Sequence, residues 1–382
     1  LIAPPRRRHL YTFKSMATYK ESGVNIALGD KSSEIAYNEA KKTFAGRKNK
    51  IGEPLLMEGG FTGAIDMGDY YLVQNDDGIG SKFQIADEIG KYETSGYDLA
   101  AMVADDAVCV GAECLTISNT IDTEKVDPEK IEKMMKSLSR ACREQKIIIP
   151  GGEIAELPSM VKGTIWNATA IGIVEKKKLI MTRDVRPGDA LIGLYSKGFR
   201  SNGFSLVRYI LKKNFGPRWH YKKFSADTKR GAKAKTWAEM VLEPTQIYHN
   251  AVLALVGRFG EKRKINVKGI AHITGGGIPG NLSRILKKTR TGAILDNLPE
   301  PPKMMLELQK LGNVSDKEAY KVWNMGVGMI LCVSKRETKK ALQILEQNNV
   351  QSQIIGYVVS SPKIELISKG FFKKNQKLIF TI

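Results

Sequence analysis

The chain has 382 residues, too many for one ordinary core, so about two domains are expected. Hydrophobic residues make up 42% of it with charge dispersed between them, and no apolar run approaches the ~18 residues of a membrane span, which leaves a soluble globular class. The net charge of +20 favours anionic partners: nucleic acid, anionic lipid or phosphorylated metabolites.

Residues 1–15 contain no acid, include Pro4-Pro5 and lack periodicity, so they are read as a disordered or non-native extension, and Met16 resembles a natural start. Asp30 is expected to cap a helix through Ile35, Ala36 and Ala40. A glycine-rich loop follows at 57–63, with Gly59 and Gly60 placed to approach a nucleotide. Tyr70–Gln74 reads as a short strand running into Asp76-Asp77-Gly78-Ile79-Gly80-Ser81-Lys82. Helices are predicted over 81–89, 97–110 and 128–145, and strands over 114–119, 147–149 and 168–174, the middle one ending at Gly151-Gly152-Glu153. Glu175–Lys178 is the expected join between domains. The second half restarts with a strand at 190–195 and a helix at 205–212, then a strand at 269–273 entering the glycine loop 275–277. Alternating short strands and helices give a fold class of α/β (α+β type) in two units, 16–175 and 176–382. Cys109, Cys114, Cys142 and Cys332 form neither a CxxC pair nor a disulfide framework, which fits a reducing compartment and a cytoplasmic location.

Three acidic clusters carry the chemistry. Carboxylates after a strand, followed by glycines and a lysine, suit magnesium and phosphates: Asp76 and Asp77 as hard oxygen ligands, the backbone of Gly78, Gly80 and Ser81 near phosphate oxygens, and Lys82 offsetting charge. Asp-Asp-Gly is also ordinary turn chemistry. On the next helix, Asp98 and Asp105 lie seven residues apart and share a face, with Asp106 beside them, and carboxylates among so many apolar residues need a partner or a metal. Glu153 and Glu156 follow the Gly151-Gly152 pair. Ser201-Asn202-Gly203 and Thr274-Gly275-Gly276-Gly277 are donor-rich loops able to hold a phosphate at a helix start, or plain turns.

Two readings of other classes compete. Gly275-x-Gly277-x-x-Gly280, with Asp296 about nineteen residues on, matches a dinucleotide fingerprint and would mark an oxidoreductase. Lys212–Lys235 carries nine Lys or Arg against the single acid Asp227, with Trp219, Tyr221 and Phe224 interleaved, as a nucleic-acid surface would. A solvated insertion explains it as well.

The runs SGVNIALGD, NDDGIGSK, GYDLAAMVADDAVCVGAE, GGEIAELP, RSNGFSLVR, LEPTQIY, GIAHITGGG and WNMGVGM, in that order from Ser22 to Met329, resemble the phosphoribosylformylglycinamidine cyclo-ligase family. The resemblance implies a two-domain ATP-binding synthetase fold: an N-terminal domain whose mixed sheet joins a second subunit's in a dimeric β-barrel, and a C-terminal α/β sandwich. It implies a homodimer with ATP and Mg2+ that closes a ring on formylglycinamidine ribonucleotide. Asp77 and Asp106 match the family's acids, with Glu153 and flanking glycines nearby, and Ser201, Asn202 and Gly203 match the substrate-side loop, beside which this chain's own Arg200 is placed to bind a phosphate.

The chain departs from the family pattern at several positions. Arg200 replaces a histidine and, being always charged, is a poor proton shuttle. Asp105-Asp106 stands for an Asn-Asp pair and Asp76 for a threonine. Tyr37 falls near the family's nucleotide lysine, Asn119 replaces an aspartate and Gln246 an arginine. Selenophosphate synthetase, a relative sharing the metal-ATP half, would need an N-terminal cysteine, and none precedes Cys109.

Overall fold

The computed structural model describes residues 16–57, 60–224 and 234–382. Gly59, expected at the nucleotide, residues 1–15 and part of the basic stretch lie outside them.

The first half folds as helix α1 (Ile26–Lys41), strands β1 (Glu53–Leu55), β2 (Gly63–Asp66) and β3 (Tyr70–Gly78), helices α2 (Ser81–Ile89) and α3 (Ser95–Val108), strand β4 (Glu113–Thr123), helix α4 (Pro128–Gln145), and strands β5 (Gly152–Glu156) and β6 (Thr164–Glu175). The six strands form one mixed sheet in the order β1-β2-β3-β6-β4-β5, with only β4 and β5 parallel. The sheet is open within one chain. Its covered face packs Val73, Ile117, Ile121, Trp166 and Ala168 against Leu99, Val103 and Leu138 of the helices.

The second half contributes β7 (Ala190–Tyr195), α5 (Phe204–Phe215), α6 (Trp237–Val241), α7 (His249–Val256), β8 (Val267–His272), α8 (Gly277–Leu286), β9 (Gly292–Leu295), α9 (Lys303–Gly312), α10 (Asp316–Val322), β10 (Val327–Val333), α11 (Thr338–Gln347), β11 (Ser352–Val359), β12 (Lys363–Ile367) and β13 (Lys377–Thr381). Its seven-stranded sheet runs β13-β12-β9-β11-β7-β10-β8, with β12–β9 the parallel pair. Strand β10 is buried along its whole length, which is why it reads as a continuous apolar run.

Several expectations are corrected. Asn25, not Asp30, caps α1, its side chain accepting from the Leu28 N–H at 3.3 Å, and Asp30 lies inside the helix. Residues 147–149 form only a bridge between Ile148 and Thr116, and the strand starts on Gly152, the second of the glycine pair, instead of ending before it. Ala17 belongs to the second half's core, and its N–H bonds to Gly312 O at 3.0 Å, so the chain's described start docks away from the sheet it precedes.

The sheet order also removes the dinucleotide reading. A dinucleotide fold needs its fingerprint between adjacent parallel strands. Here β8 sits at the sheet edge beside antiparallel β10, while β9 lies between β12 and β11. The basic stretch is no stacking platform either, since Trp219 and Phe224 are core residues and Tyr221 is the exposed ring. Among the described residues no helix is long and apolar enough to cross a membrane, and all four cysteines are free and buried.

Candidate active site

Strand β3 continues through Asp76, Asp77 and Gly78 instead of turning before them. Period-two alternation therefore sends neighbouring carboxylates to opposite faces. Asp77 points to the helix-covered face, as does Asn75, whose Nδ2 donates to Val103 O of α3 at 3.0 Å. Asp76 is exposed on the open face and accepts from the Thr169 hydroxyl. The register places Gly78, Asn167, Thr120 and Glu153 in one row, so Glu153 shares the open face with Asp76 and lies on the outer strand. Three carboxylates expected together are thus split, and no group of three or more metal-ligating side chains assembles among the described residues.

Asp77 is joined instead by Asp106 of α3. Burial pushes the Asp77 carboxyl up to about 7, the charge of Asp106 adds to the rise, and the Gly78 N–H, 2.7 Å from Oδ1, opposes it. Asp106 is pushed up to about 8 by burial, with Arg284 and Arg200 opposing. Its Oδ1 lies 2.7 Å from His272 Nδ1 at the end of β8. Two half-buried carboxylates, one raising the other's pKa by its charge, form a donor set that a hard cation satisfies. Just beyond, Gly80 (φ +62°) starts α2 without a side-chain cap, leaving first-turn N–H groups to an anion.

The other two acids of α3 serve the join between halves. Asp98 is buried, accepting from Lys82 Nζ at 2.6 Å, from the Thr245 N–H at 3.0 Å and from the Thr245 hydroxyl. Lys82 also donates to Glu243 O at 2.8 Å and is shielded from water, so it is not presented to a phosphate as expected. Asp105 accepts the Tyr248 and His249 N–H groups on Oδ1, each at 2.9 Å, capping α7 from across the interface. Its Oδ2 takes Arg200 Nη2 at 2.7 Å.

Arg200 is also not the open phosphate ligand expected. It is 1% exposed, its Nη1 donates to Gln246 O at 2.9 Å, and its guanidinium lies over the Tyr248 ring at 4.8 Å. What remains for a phosphate is the loop after it. Ser201 Oγ and Asn202 Oδ1 are buried without a partner, and a side chain at Gly275 would lie 3.8 Å from Asn202 Nδ2, so this loop and the 274–277 loop are neighbours. Gly203 (φ +77°) and Gly276 (φ +93°) start α5 and α8 without side-chain caps. Both loops press on the end of α10, Gly203 against Trp323 and Gly277 against Tyr320 O. Two bare helix starts beside orphaned donors and acceptors suit a phosphate.

Of the glycines after β4, Gly152 leaves no room for a Cβ beside Asn119, and Asn119 accepts from Trp166 Nε1 at 2.9 Å, so both hold the sheet. Gly151 is open, with nothing within 4 Å of where a Cβ would stand. Gly60 and Phe61 stand between two cavities. One, about 530 Å³, is lined by Tyr37, Phe44, Phe61, Thr62 and Asp76. The other, about 420 Å³, is lined by Phe61, Cys109, Arg284, Lys287 and Lys288. Sequence reasoning singles out neither Arg284 nor Phe61, and it reads His272 as a structurally satisfied strand histidine. Arg284 stacks on Phe61 at 4.7 Å, and the signal was His272's place at a strand end before a glycine loop.

Comparisons with known proteins agree with this layout. Residues 60–174 match the family described as AIR synthase related protein, N-terminal domain, and 186–369 its C-terminal domain. The phosphoribosylformylglycinamidine cyclo-ligase of Methanocaldococcus jannaschii is 36% identical over 95% of this chain and 99% of its own. That of Pyrococcus furiosus is 38% identical over 93% and 99%. Among solved structures, hydrogenase maturation protein HypE in complex with ATP has a TM-score of 0.57 at 15% identity, covering 82% of this chain and 85% of that one. Thermotoga maritima PurL complexed with ADP has a TM-score of 0.54 at 15% identity, covering 86% and 46%. These two share the fold. The full-length relatives decide the family: the chain belongs to the phosphoribosylformylglycinamidine cyclo-ligases.

Proposed function

We propose that the chain uses ATP to close the imidazole ring of aminoimidazole ribonucleotide from formylglycinamidine ribonucleotide. The observation that carries this is end-to-end identity with cyclo-ligases, 36% over 95% of the chain. The formyl-amide oxygen attacks the γ-phosphorus and ADP leaves. The amidine nitrogen then attacks the activated carbon, the C–O bond breaks, and phosphate departs with the former formyl oxygen. Loss of a proton leaves the aromatic ring. Phosphorylation is needed because an amide oxygen is a poor leaving group.

Each part of the site has a place in this reading. The aromatic cavity lined by Tyr37, Phe44 and Phe61 suits the adenine, with the bare start of α2 near the polyphosphate. Asp77 and Asp106 would hold magnesium, which supplies charge compensation to the phosphates when bound. The starts of α5 and α8, with Ser201 and Asn202, would hold the ribose phosphate.

A second copy would complete the molecule. The open sheet face carries exposed Ile165, with Ile171 and Ile173 part-covered in the same alternation, and α1 exposes Leu28 and Ile35, so a homodimer closing a barrel over this face would bury them. Asp76 and Glu153 lie on that same face, where a partner could bring them to a nucleotide. The expected location is the cytoplasm, where the buried free thiols stay reduced.

The test is purified protein with formylglycinamidine ribonucleotide, ATP and magnesium. Equal amounts of ADP and aminoimidazole ribonucleotide are expected; ADP without the ring product would reject the reading. NAD in place of ATP should give no thermal stabilisation.

A further inference from the structure

Arg200 occupies an unusual backbone position. Its φ of +58° lies in the left-handed region, uncommon for a side chain of this size. Its side chain crosses to α3 and β8, and the two hydrogens of Nη2 are both engaged, one on Asp105 Oδ2 at 2.7 Å and one on His272 Nε2 at 2.8 Å. A guanidinium has donors and no acceptor. The histidine nitrogen facing it must therefore present a lone pair. A neutral imidazole has one N–H, which falls to Nδ1, 2.7 Å from Asp106 Oδ1. Neither side chain has room to turn away, with Arg200 1% exposed and His272 fully buried.

We propose that Arg200 is a positioning residue that locks His272 in the Nδ1–H tautomer, so that the ring donates to Asp106 and its Nε2 is closed to protons. Donation then runs outward from one cation: to Asp105, which caps α7, and through His272 to Asp106. Asp106 receives an N–H on one oxygen, which fixes the orientation of its carboxylate and leaves the other oxygen for a cation. That last consequence rests on the proposed reaction; the tautomer itself does not. His272 is thereby excluded as the base that takes the ring-closure proton, because a proton arriving at Nε2 would meet a permanent donor.

The experiment is a long-range 1H–15N correlation on protein labelled with 15N-histidine, free of metal at neutral pH, where four histidines give a readable spectrum. The expected His272 signature is a protonated Nδ1 and a bare Nε2; a protonated Nε2, or protons on both, would overturn the assignment. The variant Asp106→Asn removes the carboxylate that could hold the proton on Nδ1 by itself. With Arg200 present the Nδ1–H form should persist, and a shift to Nε2–H would show that Asp106, not Arg200, sets the tautomer. If that variant does not fold, the wild-type spectrum still decides the tautomer, and a protonated Nε2 there overturns the proposal.

Discussion

Lys82 Nζ lies 2.6 Å from the Asp98 carboxylate, and both side chains are closed off from water. Removing one partner of a buried pair strands the other charge, at a typical cost of about 3–5 kcal/mol. Asp98→Asn should therefore lower the urea midpoint steeply, by about 3 kcal/mol of stability. The double variant Asp98→Asn/Lys82→Met should recover much of that loss, because no stranded charge remains. Strictly additive losses would show that the two residues are not coupled.

Asp77→Asn and Asp106→Asn should act on turnover and not on folding. Each removes one of two half-buried, like-charged carboxylates, so the metal-free protein should keep or raise its melting temperature. Magnesium-dependent ATP turnover should fall by about 100-fold or more, as loss of a preorganised electrostatic group does. Thermal stabilisation by ATP with magnesium should vanish as well. Retained turnover in both variants would remove the proposed cation site.

His249 offers a pH test remote from that site. Its Nε2 accepts the Cys114 N–H at 2.9 Å, and burial, aided by the charge of Arg258, pushes the imidazole from 6.5 down to about 3. Between those values the unfolded chain binds a proton that the folded chain refuses. The contribution is fully present above pH 6.5 and is lost as pH falls, by at most about 1.4 kcal/mol per pH unit. Denaturation between pH 7 and 5.5 should show a difference of this slope between the protein and His249→Gln, since His272, Asp77 and Asp106 also titrate there and contribute alike to both. An equal slope in both proteins would contradict the assignment.

Glycines of the late loop separate the two nucleotide readings. Gly277 has φ +61°, and a side chain there would overlap Tyr320 O. Gly277→Ala should cost about 2 kcal/mol or more, in the range of strained backbone sites. Gly280 lies within α8 with open space where a Cβ would stand, so Gly280→Ala should be neutral or stabilising by about 0.5–1 kcal/mol. A dinucleotide fingerprint would need both. Melting curves of the two variants distinguish the cases.

Much of this layout was legible in the sequence, for physical reasons. Helices 81–89 and 128–145 carried clear starts and stops, Asp127 capping the second by accepting from the Glu129 and Lys130 N–H groups. The family resemblance implied Asp77 and Asp106 together, and the charge of Asp106 acts on Asp77 in the structure. What the sequence hid was the extent of β3: ending the strand at Gln74 put Asp76 and Asp77 together as ligands, and strand alternation parts them. The tasks of Asp98, Asp105, Lys82 and Arg200 were hidden too. Their partners Thr245, Tyr248 and His272 are more than a hundred residues from α3, and only the packing of the two halves brings them there.

The most direct measurement follows the oxygen. Formylglycinamidine ribonucleotide labelled with 18O in the formyl group, turned over with unlabelled ATP and magnesium, should deliver its label to inorganic phosphate, read as an isotope-shifted 31P resonance. Label appearing in water, with unlabelled phosphate, would contradict activation of that oxygen by ATP.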